Sequence, residues 1–107
     1  MCRQLSADQF ARISLSEHAY RTYLLRGLGL AVRERRTQRH LSQAELALAT
    51  GVARQRIGAL ERGRLNPRYE LLIALADALG VELGVLVTRA EALATESGDP
   101  RAAPPGG

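Results

Sequence analysis

Between positions 54 and 68 the chain sets out Arg54, Gln55, Arg56, Arg62, Arg64, Asn66 and Arg68. A guanidinium is a permanently charged planar fork that donates hydrogen bonds in pairs, and an amide both donates and accepts. At neutral pH neither group is suited to proton transfer or nucleophilic attack. The rest of the chain offers no better candidates for that work. It has two histidines, His18 and His40, and one cysteine, Cys2. No nucleophile, base and orienting group recur at usable spacing, and no glycine-rich phosphate loop is present. No Cys, Asp or second His stands near His40 at metal-ligand spacing. The sequence therefore predicts no enzyme, no metal and no cofactor, and a single cysteine excludes an intramolecular disulfide. The chemistry on offer is recognition of acceptor-rich, negatively charged groups.

The elements that must position these donors are read from Leu41 to Gly63, LSQAELALATGVARQRIGALERG. Ser42 followed by Glu45 fits a capping box, which predicts a helix from Gln43. Leu41 and Leu46 stand at the spacing of a hydrophobic staple, and Gly51 suits the left-handed conformation that ends a helix. Apolar periodicity resumes at Arg54, with Ile57 and Leu60 on one face. Arg54, Gln55, Gly58, Ala59 and Arg62 fall on the other. That face has long donors at its start and small residues in its middle, so the helix can lie close against another surface.

Charge is concentrated in the same region. All fifteen basic residues are arginine, and the formal net charge is +4. Residues 21–68 hold eleven arginines and three acids, whereas residues 69–107 hold two arginines and six acids. A basic stretch coinciding with two short helices points to a polyanionic partner.

Ser42-Gln43-x-x-Leu46-Ala47, Gly51-Val52, Ile57, Glu61-x-Gly63, Pro67 and Leu79-Gly80-Val81 together resemble the Cro/C1-type helix-turn-helix family, also called the Xre family, over roughly Leu28 to Val87. The resemblance implies an all-α, compact five-helix bundle of the lambda-repressor-like DNA-binding type, here with an extra N-terminal helical segment. It implies sequence-specific binding of double-stranded DNA by a transcriptional regulator of the repressor kind, acting as a homodimer. Arg54, Gln55, Arg56 and Ala59 would face base edges, with Arg suited to guanine and Gln to adenine. Gln43, Arg62, Arg64, Asn66 and Arg68 would contact phosphates. Arg36 and Glu61 would form a structural ion pair clamping the first helix to the third.

Four positions depart from the family pattern within this region, among them Ala59, which replaces what is often a long polar side chain. His40 stands where the family usually has Gly to leave the first helix. Ala53 replaces a Ser or Thr N-cap, at a cost of about 1 kcal/mol. Gly58 inside the third helix costs nearly as much again relative to Ala. Arg33, Arg35 and Arg39 are expected to be solvated or to face phosphate. Pro67 suits the first turn of the fourth helix, and residues 81–87 match the family's short last helix, the reading favoured over the strand that a continuous apolar run also allows.

The organisation expected is an N-terminal extension over 1–26, partly helical from Ser16, a helix-turn-helix domain over 27–88, and a disordered tail over 89–107. Tyr20, Tyr23 and Leu24 form an apolar stripe in the extension. Three roles are open to it: packing on its own domain, dimerisation, or DNA contact. Two further functions stay open for the chain as a whole. One is an antitoxin that represses its own operon and binds a toxin; the other is a protein-interaction module that keeps the fold and has lost DNA contact. With no apolar run of spanning length and no signal-peptide pattern, the expected setting is the cytoplasm of a bacterium, with no membrane partner.

Overall fold

The computed structural model describes residues 7–96, with side chains from Ala19 onward. Five helices follow in order: α1 (Ala7–Gln38), α2 (Gln43–Thr50), α3 (Arg54–Glu61), α4 (Tyr69–Leu79) and α5 (Leu83–Glu96). No strand occurs among the described residues.

Local chemistry sets the ends of the short helices. At the start of α2 the Ser42 hydroxyl accepts from the Glu45 N–H at 3.0 Å, and the Glu45 carboxylate accepts from the Ser42 N–H at 2.9 Å. Both halves of the capping box are thus made. One stop signal is used three times: after α2, α3 and α4 a glycine takes a left-handed conformation, Gly51 at φ 75°, Gly63 at φ 73° and Gly80 at φ 68°. The residue after each glycine donates back into the last turn, as Arg64 N–H does to Ala59 O at 2.9 Å. His40 does the same work at the end of α1 with φ 56°, and Leu41 N–H returns to Arg36 O at 3.0 Å. Ala53 starts α3 in an extended conformation with no side-chain cap.

The core is built from one apolar stripe of each helix. Val32, Leu46, Ile57, Leu60, Leu75 and Leu79 are fully enclosed, and Leu28, Ala31, Leu71 and Leu86 are among the residues packed with them. Burying a leucine or isoleucine side chain stabilises by about 1.5–3 kcal/mol. The eight-residue helices α2 and α3, too short to persist alone, hold their shape through this packing.

Three sequence expectations are corrected here. No helix starts at Ser16: α1 runs unbroken from Ala7 through position 26 into the family's first helix. Residues 89–96 are not a disordered tail but the second half of α5, with Ala90 and Ala94 buried against α1. The reason is close helix contact. A side chain at Gly27 would collide with Ala90 O and Ala94 Cβ, and one at Gly29 with the carbonyls of Leu60 and Glu61. Tyr23 and Thr95 share a hydroxyl hydrogen bond of 2.9 Å, and Arg89 forks onto Glu34 at 2.8 Å. Pro67 lies before α4 rather than in its first turn, because the extended residue Arg68 is the N-cap, its carbonyl accepting from Leu71 and Leu72. The remainder of the expected extension and tail, residues 1–6 and 97–107, lies outside the described residues.

Candidate nucleic-acid interface

α3 is fixed from beneath and open above. Ile57 and Leu60 are fully buried, whereas Arg54, Gln55 and Arg56 in the first turn are exposed, and none of the three side chains has a hydrogen-bond partner among the described residues. Long donors without internal partners are available to an external acceptor. Ala59, half-buried, offers the same surface only a methyl group. Gly58 does not lie on the open face. It is buried, and the Arg62 guanidinium crosses it, with Nη1 3.1 Å from where a Cβ would stand.

The C-terminal end of α3 is locked by a polar cluster. Glu61 accepts from Arg36 Nε at 2.6 Å, from Arg36 Nη2 at 3.0 Å and from Gln43 Nε2 at 3.0 Å. The third guanidinium nitrogen of Arg36 donates to Leu41 O at 2.8 Å. Three helices and the α1–α2 turn thus meet on one carboxylate, whose side chain is only 4% exposed. A charge that far from water is tolerable because it is forked to an opposite charge and hydrogen-bonded again. No buried side-chain polar atom among the described residues lacks a partner. The hydrogen bonds to Glu61 raise the Arg36 pKa further above its ordinary value.

Gln43, expected at a phosphate, has its side-chain amide directed to Glu61 and is half-buried. Arg62, Arg64, Asn66 and Arg68 are exposed and without side-chain partners among the described residues. They occupy the connection between α3 and α4, which half-buried Leu65 anchors to the core. The structure brings some of these groups together in two hollows. Arg33, Gln43 and Arg62 border one hollow beside Glu61, and Arg56 and Arg68 border another that also holds Glu70.

Two arginines leave the expected set. Arg35 Nε donates to Leu79 O at 3.1 Å, and Arg39 Nη1 donates to the same carbonyl at 3.4 Å. Both therefore cap the C-terminal end of α4, where cations suit the helix dipole and the unsatisfied carbonyls. Arg33 remains exposed. Sequence reasoning missed this because the acceptors are backbone atoms at least forty residues away in the chain.

Two short helices joined at Gly51–Ala53, with the second exposing unpaired donors above a buried core, define a helix-turn-helix nucleic-acid-binding domain. The family model described as helix-turn-helix matches residues 32–86. The chain belongs to this family, in its Cro/C1-type form, and is a DNA-binding transcription regulator. It is 33% identical over 76 residues to the ImmF control region 10 kDa protein of Bacillus phage phi105, covering 71% of this chain and 84% of that one. It is also 33% identical over 60 residues to an immunity repressor protein of the same phage, covering 56% of this chain and 42% of the relative. Among solved structures, the clp gene regulator ClgR of Corynebacterium glutamicum matches with a TM-score of 0.65 and 32% identity, over 69% of this chain and 80% of that one. No single helix among the described residues is long and apolar enough to cross a membrane.

Proposed function

We propose that this regulator is a repressor that binds a two-fold DNA operator as a homodimer, inserting α3 of each subunit into the major groove. The observation that carries this reading is the first turn of α3: Arg54, Gln55 and Arg56 stand exposed and unpaired on a helix whose other side is fully buried. Arg54 pairs with guanine and Gln55 with adenine; Arg56 extends the reading surface, and the small Ala59 lets the helix approach base edges closely. Arg62, Arg64, Asn66 and Arg68 hold phosphates and set the register. Gln43 serves through the free N–H groups at the start of α2, since its side-chain amide is bonded to Glu61. The likeness to an immunity repressor supports the sign of regulation.

Selection of bound fragments from a random duplex pool tests the reading. The expected product is a pseudo-palindrome with half-site centres about one helical turn, roughly 34 Å, apart. Retention of DNA without sequence enrichment would contradict it.

A further inference from the structure

Beside the DNA-facing surface, α1, α4 and α5 enclose an open apolar groove of about 580 Å³. Leu24, Leu25 and Leu28 of α1, Leu72 of α4 and Val87 of α5 line it. Tyr20, stacked on Tyr23 with ring centroids 5.5 Å apart, closes one end. Apolar surface gathered into one concave patch is a cost in water that single scattered side chains do not impose. Leu72 excepted, every residue of the groove lies outside the span 32–86 that matches the family. The groove is an addition of this chain to the minimal domain.

We infer that the groove seats the same groove of a second copy of this chain across a two-fold axis. The inference rests on the homodimer reading above and names the surface that makes it. Its main support is charge. Arg21 stands on the α1 wall and Glu91 on the α5 wall, and neither makes an ion pair among the described residues. In a two-fold contact the residue met by i on one copy meets i on the other in return. An axis through the groove sets Arg21 of one copy against Glu91 of the other, and Glu91 of the first against Arg21 of the second. One base and one acid, each without an ion pair among the described residues, become two ion pairs around an apolar centre, with no second kind of molecule required.

The placement also leaves the DNA-facing surface free. Stepping about 100° per residue, the stripe of Tyr20, Leu24 and Leu28 is centred roughly 150° around α1 from that of Gly29, Arg33 and Arg36, which face α3 and the hollow beside it. A copy docked on the first stripe does not cover the second.

Sedimentation equilibrium of the full chain tests the inference. The wild type should sediment at twice its 11.6 kDa chain mass. R21E and E91R should each weaken the dimer by roughly ten-fold or more, because each reversal occurs twice in the interface and sets like charges together. The double reversal R21E/E91R should restore it. Both residues are exposed, and an unchanged helical circular-dichroism spectrum confirms that the variants fold. Val87→Asp should abolish the dimer. A wild-type monomer, or a dimer indifferent to both reversals, overturns the proposal. Retention of random-sequence duplex DNA, measured on the same samples, reports separately on the DNA-binding reading: the reversed variants should keep it.

Discussion

Arg36 Nε lies 2.6 Å from Glu61 Oε2, in a fork that ties the C-terminal part of α1 to the last residue of α3. The side chains are 12% and 4% exposed, so removing the cation strands a carboxylate away from water. Arg36→Ala is therefore expected to destabilise the fold by about 3 kcal/mol. Arg33→Ala, at an exposed position with no partner among the described residues, should stay within about 0.5 kcal/mol of wild type. Arg35→Ala should fall between them, near 1 kcal/mol, because it removes a cap on α4. Urea unfolding of the three variants checks the order. Equal midpoints would remove the clamp from the account.

His40 holds φ 56° at a position where three other helix ends use glycine. A residue with a Cβ is strained there by about 1 kcal/mol. His40→Gly should accordingly raise stability by up to about that amount, less what glycine adds to the entropy of the unfolded chain. A lowered melting temperature would show that the imidazole makes a contribution the geometry does not reveal.

Acid should loosen the start of α2. The Ser42 N–H holds the Glu45 carboxyl below its ordinary value of 4.5, and the Arg89 fork lowers Glu34 in the same direction. A depressed pKa means that the folded state binds the proton less readily than the unfolded one. The stabilisation is present above the ordinary value and is lost as pH falls through the folded one. The gap in melting temperature between wild type and Glu45→Gln should narrow from about pH 7 to about pH 3. A gap that stays constant would show that ionisation of Glu45 is not what makes the cap effective.

Arg64 and Arg68 flank the exposed connection after α3. Each is expected to displace about one counterion from DNA. Their alanine variants should weaken binding to all sequences alike and flatten the salt dependence by about one ion each. An unchanged slope would take that residue out of the interface.

What was legible in the sequence was what neighbouring residues decide. Ser42 with Glu45 sets the start of α2 and Gly51 sets its end, because each device closes within a few residues. Arg36 and Glu61, twenty-five positions apart, came into view through family resemblance and not through spacing. The α1–α5 pairing was not legible. It depends on Gly27 meeting Ala90 and Ala94, and small residues leave no periodic signal of what they approach. Gly58 was placed on the open face by rotation alone, whereas the side chains of Arg62 and Gln43 lie over that side of α3.

The reading surface is tested most directly by competition binding. The affinities of wild type, Arg54→Ala and Gln55→Ala are measured on the selected operator, on its single-base variants and on random duplex at one salt concentration. Each substitution should erase roughly 1–3 kcal/mol of discrimination at one base pair while leaving random-sequence affinity nearly intact. Equal weakening on operator, variants and random DNA would place these side chains on phosphate, and the first turn of α3 would not be the element that reads sequence.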